Sequence, residues 1–140
     1  MPVTVVGAGT AIVLALLAAI HVYWAVRGSA DWASVPSRPD GTPLFRPGPF
    51  ASLLVAGGLS AAALVVLGRA ELIPPYAGRP LTRAGTWVLA LLFALRTVGE
   101  FHYVGLLKTV TGTPFARLDT ILFTPLCALL ALALLYLARS

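Results

Sequence analysis

Three ionisable residues, Arg96, Glu100 and His102, lie inside the third of four apolar segments. A charged side chain at the centre of a bilayer costs about 2.5–3.5 kcal/mol on insertion scales, so such residues usually serve function or helix pairing. Arg96 and Glu100 are four positions apart, and on one continuous helix they would share a face and form an ion pair. This pair could tune the carboxylate for proton transfer, or it could only hold two helices together.

Further polar residues fall at a similar depth in the other segments. His21 precedes Arg27 by six positions, and His102 precedes Lys108 by the same interval. Because the first and third of four spans run in the same direction, both histidines are expected in the same leaflet. Asp119 begins the fourth span on that side. We therefore predict a polar pocket that opens toward one side of the membrane, beneath the loop that joins the first two spans.

The residue types in this pocket suggest acid–base chemistry or the binding of a polar group. Candidate catalytic residues are Glu100 and His21, as acid and base, and Arg96, which would tune the carboxylate or bind an anion. Candidate ligand-binding residues complete the pocket: Trp24, Tyr103, Asp119 and His102. Structural roles are the alternative, since an aspartate at a helix start can cap that helix. No spacing typical of a metal site occurs, so no metal is expected.

The composition favours a membrane protein. Of 140 residues, 59% are hydrophobic and 11% are charged, whereas soluble domains carry about 25% charged residues. Four apolar runs are each long enough to cross a bilayer as a helix, which needs about 20 residues. We predict an all-α, polytopic membrane protein with a single domain over residues 1–140. Its four transmembrane helices would form a compact bundle, with spans at about residues 3–26, 50–67, 84–107 and 118–138.

The connection between the first two spans is rich in proline. Residues 29–49 hold five of the eleven prolines, together with Asp31, Trp32 and Phe45. This segment is too stiff for a random linker and too aromatic for a disordered one. We expect an ordered loop that covers one end of the bundle.

The net charge of +5 comes from basic residues that stand singly in loops and at span ends. This distribution is typical of contacts with lipid headgroups, so membrane lipid is the expected partner and nucleic acid is not. The second span also carries small residues at positions 56/60, 57/61 and 58/62. Such pairs let helices approach closely, either within one chain or in a homo-oligomer.

Three stretches of the chain carry a resemblance to a known family. They are residues 21–25 (HVYWA), residues 43–49 (PLFRPGP), and residues 96–105 (RTVGEFHYVG) with residues 115–119 (FARLD). In these stretches the chain resembles a bacterial membrane family, the domain of unknown function numbered 3995. The resemblance spans nearly the whole chain and implies four spans in one small domain. It also implies that a basic residue often replaces His102, which weakens any mechanism that needs this histidine.

The expected location is the inner (plasma) membrane, as a multi-pass protein. An even number of spans puts both termini on one side. Arg and Lys counts on the two sides are nearly equal, so the positive-inside rule does not decide the orientation. We expect both termini in the cytoplasm, because the proline-rich loop has the character of an ordered extracytoplasmic segment.

The pocket favours the binding or conversion of a small apolar or amphipathic, lipid-like molecule, and whether the chain is an enzyme stays open. No cofactor is expected, although haem b held by His21 and His102 is one alternative. A second alternative is a proton-linked transporter or channel subunit that acts as an oligomer. A third is a non-catalytic assembly partner. The sequence contains no glycine-rich phosphate loop, HExxH or GxSxG motif, which excludes the common soluble hydrolases and nucleotide enzymes.

Overall fold

The computed structural model describes residues 1–28 and 35–140 and is built from four long helices. These helices are α1 (Val3–Arg27), α2 (Pro49–Arg69), α3 (Arg79–Val98) and α4 (Pro114–Arg139). All four are long and apolar enough to cross a membrane, by length and composition. The predicted all-helical, four-span fold class is confirmed, and the helices are compatible with a multi-pass membrane protein.

Proline marks the beginning of three of the helices. Pro49, Pro80 and Pro114 each stand in the first turn of α2, α3 and α4. A proline there is favourable because the amide hydrogen that it lacks would have no partner within the helix. At the start of α4 the hydroxyl of Thr113 also accepts a bond from the amide of Ala116 at 3.1 Å. The positions of these helix starts therefore follow from local sequence.

The core lies where the helix pairs α1/α2 and α3/α4 meet. Leu14, Val66, Leu134 and Leu137 are fully buried there and belong to one apolar cluster. Gly7 of α1 lies directly against Ala70, and a side chain at this glycine would collide with it. Close backbone approach at small residues is the usual way in which membrane helices pack. The bundle is therefore held together by small and aliphatic side chains rather than by polar contacts at its centre.

The small residues of α2 divide between two faces. Ala56, Ala62 and Ala63 are buried against the core. Gly57 and Gly58 have open space where a side chain would stand. The first set packs within the chain, and the second set leaves an outer face whose predicted use in a homo-oligomer stays a prediction.

Helix α3 ends earlier than the apolar pattern predicts. Gly99 follows Val98 with φ +87° and donates its amide hydrogen to the carbonyl of Leu95 at 2.8 Å, as in a glycine C-cap. Gly105, with φ +90°, then packs directly on the backbone of Gly99. The chain folds back at these two glycines, so residues 99–113 form a loop. The predicted third span, residues 84–107, is corrected to Arg79–Val98.

Helix α4 contains one irregular turn. Residues Asp119–Phe123 form a π-helical turn, which ends directly before Thr124 and Pro125. Pro125 lacks the amide hydrogen that a regular helix would use, which is compatible with an irregular turn beside it. Such π-helical turns are frequent at functional sites.

The described part of the proline-rich loop, residues 35–48, is held by its own backbone. Arg38 and Thr42 are joined by an amide-to-carbonyl bond of 2.8 Å, and Leu44 donates to Pro36 at the same distance. The carboxylate of Asp40 accepts bonds from the amide and the hydroxyl of Thr42. Two residues named above for this loop, Asp31 and Trp32, lie outside the described residues.

At the other end of the bundle the chain termini meet the ends of α2 and α3. Arg69 donates to the terminal carbonyl of Ser140, and Arg83 donates to the carbonyl of Ala138 at 3.2 Å. These contacts satisfy carbonyls that the last turn of α4 leaves without helical partners.

Candidate functional site

A buried carboxylate lies at the centre of the polar residues. Asp119 is fully buried, and its Oδ1 accepts a bond of 2.6 Å from Nη2 of Arg96. Its Oδ2 lies 3.2 Å from Nζ of Lys108 and accepts bonds from the amide of Gly105 at 2.9 Å and the hydroxyl of Thr124 at 3.1 Å. We call these five residues the Asp119 cluster. It joins α3, the 99–113 loop and α4.

The cluster depends on the two glycines that end α3. Arg96 stands in the last turn of that helix, and the chain then reverses at Gly99. A Cβ at Gly99 would collide with the carbonyl of Val104, and one at Gly105 would collide with Gly99. Because neither position has a side chain, the loop returns far enough for Gly105 and Lys108 to reach Asp119.

The predicted pair between Arg96 and Glu100 is wrong. Arg96 pairs with Asp119, while Glu100 is exposed in the loop. The pair required a helix that continued through position 100, and α3 ends at Val98. The Glu100 carboxylate instead accepts backbone amide hydrogens of the loop, from Tyr103, Val104 and His102. These bonds, above all the one from Tyr103, hold the pKa of Glu100 below its ordinary value.

The other loop residues among the predicted site are also engaged locally. The Nδ1 of His102 lies 3.1 Å from the hydroxyl of Thr109, and its carbonyl accepts two backbone amides. Its ring stands edge-on to Tyr103, with centroids 4.4 Å apart. His102 is exposed. These contacts support the shape of the loop.

A cavity of about 370 Å³ lies between all four helices. We call it the central cavity. Its walls are mainly apolar and include Leu17, Leu59, Phe93, Phe115, Phe123 and Leu126. Three predicted site residues, His21, Trp24 and Arg96, also line it, together with Cys127. The other four predicted site residues, Glu100, His102, Tyr103 and Asp119, are not among its lining residues.

Arg96 connects this cavity with the Asp119 cluster. One guanidinium nitrogen, Nη2, donates to Asp119. The other, Nη1, is buried and has no hydrogen-bond partner among the described residues. The Arg96 side chain as a whole is partly exposed, so it can hold Asp119 and also present surface to the cavity.

His21 and Trp24 form a contact on the α1 side of the cavity. The rings stand edge-on with centroids 4.9 Å apart. Nδ1 of His21 lies 2.7 Å from the carbonyl of Leu17, and because a carbonyl only accepts, Nδ1 carries the hydrogen of this bond. In the neutral ring this leaves Nε2 as an acceptor.

A second cavity, of about 270 Å³, lies beneath the proline-rich loop. We call it the outer cavity. The loop contributes Val35, Phe45 and Pro47 to its wall. It shares His21, Trp24 and Val55 with the central cavity. The His21–Trp24 contact therefore stands between the two cavities.

Side chains that could bind a metal ion are not gathered in the described part of the chain. Within residues 1–28 and 35–140, His, Cys, Asp and Glu side chains form no group of three that could bind a metal ion. The two histidines considered for haem b have different surroundings, since His21 lines the central cavity and His102 is exposed in the loop.

Sequence reasoning missed part of the site. Lys108 and Thr124 were not recognised as partners of Asp119, and Cys127 was not recognised as a lining residue. The available signal for Lys108 was its charge at the border of an apolar run, eleven positions before the carboxylate. Its contact depends on the reversal at Gly99, which the sequence pattern did not predict.

Comparison with known proteins places the chain in a family. No curated protein and no solved structure matches it significantly. One family matches residues 14–134, a range that includes His21, Arg96, Asp119 and Cys127. The match covers most of the chain, which therefore belongs to the family described as Protein of unknown function (DUF3995).

Proposed function

We propose that the protein binds a small apolar or amphipathic, lipid-like molecule in the central cavity. The observation that carries this proposal is the cavity itself, which lies between all four helices and has a volume of about 370 Å³. Ligand sites in proteins usually measure about 300–1,000 Å³ and combine apolar walls with a few polar groups. This cavity has that combination, and its volume suits a molecule with one short chain.

The polar groups of the cavity would orient a bound ligand. Arg96 brings a positive charge on a partly exposed side chain, and His21 brings a ring nitrogen. Both stand among aromatic and aliphatic side chains, where a polar contact is stronger than in water. An amphipathic molecule would place its polar end against these groups and its apolar part against the phenylalanines.

Binding has better support than catalysis. Of the proposed acid–base pair, His21 lines the cavity, whereas Glu100 is exposed in the 99–113 loop and accepts three backbone amides there. A general base must come within about 2.6–3.2 Å of the proton that it removes. The cavity wall therefore contains one member of the proposed acid–base pair, His21, and does not contain the other, Glu100.

For the cellular setting we retain the inner (plasma) membrane, with both termini in the cytoplasm. In this orientation the proline-rich loop and the outer cavity face the extracytoplasmic side. A ligand would then enter beneath the loop, pass the His21–Trp24 contact and reach the central cavity. The adjacency of the two cavities supports this route.

The proposal can be tested by a substitution on α2 that fills the cavity with a larger side chain. Leu59 lines the central cavity, whereas Leu64 of the same helix is 60% exposed on the outer face. We expect Leu59→Trp to reduce by at least about tenfold the lipid-like mass that co-purifies in mild detergent, because tryptophan occupies the binding volume. Leu64→Trp is the matched control and should retain the wild-type amount. Native mass spectrometry measures both, and equal retention in the two variants would overturn the proposal.

A further inference from the structure

We propose that the ligand of the central cavity is a single-chain amphiphile with one carboxylate, which binds the guanidinium of Arg96. This inference rests on the proposed function and specifies the ligand. It is carried by two independent observations on the described residues. The first is the charge of the Asp119 cluster, and the second is the position of the partly exposed Arg96 side chain in the cavity wall.

The Asp119 cluster contains more positive than negative charge. Arg96 and Lys108 share a single carboxylate, that of Asp119. The side chains of Lys108 and Asp119 are buried and that of Arg96 is only partly exposed, so the excess charge is accessible mainly at Arg96. An uncompensated charge in an apolar surrounding is costly. One bound negative charge would balance the cluster.

The geometry points to Arg96 as the group that receives this charge. Lys108 already has two acceptors, since its Nζ lies 3.2 Å from the carbonyl of Gly105 and 3.2 Å from Asp119. Arg96 uses Nη2 for Asp119, but its side chain is 31% exposed and lines the central cavity, so it is the cation of the cluster that a ligand can reach. A carboxylate is the acceptor that the planar guanidinium binds best.

The lining of the cavity favours an anion with one chain. Within residues 1–28 and 35–140, the residues that line the cavity include no aspartate or glutamate. Phe93, Phe115 and Phe123 offer an apolar surface for a chain. With about 370 Å³, the cavity lies near the lower end of the usual range for ligand sites, which favours one chain over two.

Cys127 provides a direct readout of occupancy. It is the one cysteine of the chain and it lines the central cavity. The purified protein is placed in phosphatidylcholine vesicles, and the rate at which N-ethylmaleimide labels Cys127 is measured. Decanoate or decanol is then added in increasing amounts. The two compounds are compared at equal membrane-bound concentration. The Cys127→Ser variant gives the background. We expect decanoate to halve the labelling rate at a concentration about tenfold lower than decanol, as a charge-assisted hydrogen bond would produce.

A double variant assigns the effect to the guanidinium. Arg96→Gln with Asp119→Asn removes the positive charge and its carboxylate partner together, so the net charge of the cluster is unchanged. We expect this variant to lose the tenfold preference for decanoate over decanol, whatever its absolute affinity for either compound. A preference that persists in the double variant would overturn the assignment to Arg96.

The comparison of decanoate with decanol on the wild-type protein distinguishes the proposed binding function from the proposed anionic ligand. Equal protection by decanoate and decanol would overturn the anionic ligand while leaving the binding function intact. No protection by either compound would overturn both. Preferential protection by decanoate, lost in the double variant, is the result that supports the inference.

Discussion

At the scale of single residues, Asp119 carries the polar chemistry of this protein. It has no exposed surface and receives four polar contacts from three segments of the chain. A carboxylate in this position is stable only because its partners are all present. The ion pair of Glu71 with Arg79 gives the opposite case, since both side chains are more than half exposed.

The contrast between these two carboxylates gives a prediction. Asp119→Asn leaves the buried Lys108 and the partly exposed Arg96 without their counter-charge, and we expect it to lower the free energy of unfolding by about 3–5 kcal/mol. Glu71→Gln breaks an exposed pair and should cost about 0–1 kcal/mol. Reversible unfolding in mixed micelles measures both. Similar losses for the two variants would show that the cluster contributes no more than a surface pair.

Some of this residue-scale chemistry can be predicted from the sequence. A charge inside an apolar run is costly, and on this ground Arg96 stands out from its position in the third apolar segment alone. The predicted partner of Arg96, Glu100, was wrong. Glu100 is nearer to Arg96 in sequence, but Asp119 is nearer in space. Spacing along the chain predicts a contact only if the helix between the two residues is continuous.

At the scale of elements, the reversal at the end of α3 determines the site. Gly99 has a positive φ, and a Cβ there would collide with the carbonyl of Val104. The same reversal brings Lys108 and Gly105 to Asp119. The loop therefore serves as a structural part of the bundle as well as a connection.

A substitution that adds one methyl group at Gly99 tests the structural role of this loop. We expect Gly99→Ala to cost at least about 1–3 kcal/mol, because it forces an alanine into left-handed backbone and against Val104. It should also alter the Cys127 labelling rate, since the loop positions the cluster beside the cavity. Gly57→Ala is the control, as Gly57 lies in α2 with open space around it and alanine favours a helix. Unfolding and labelling measure both variants, and an unperturbed Gly99→Ala protein would contradict this view of the loop.

The sequence predicted the helices better than this loop. The apolar character of the third segment continues past Val98 to Leu107, so hydropathy alone extends the span too far. Glycine is also frequent inside transmembrane helices, and neither Gly99 nor Gly105 is by itself a stop signal. The reversal depends on both glycines packing together, which is a contact in three dimensions and leaves no pattern of spacing.

At the scale of the whole molecule, the number of spans follows from composition, but the central cavity does not. Each long apolar run can be recognised alone, because a bilayer sets its minimum length. A cavity arises where side chains of four helices fail to meet, so it depends on crossing geometry and on the volumes of distant residues. Sequence reasoning placed His21, Trp24 and Arg96 in one predicted pocket, and these three do line the cavity.

The most direct test of ligand binding in the central cavity is an experimental structure of the protein in lipid nanodiscs. We predict elongated density that lies along Phe93 and Phe123 and ends at the guanidinium of Arg96. A cavity that is filled by rearranged side chains, or that holds only isolated water, would contradict the proposal that this protein binds a lipid-like ligand.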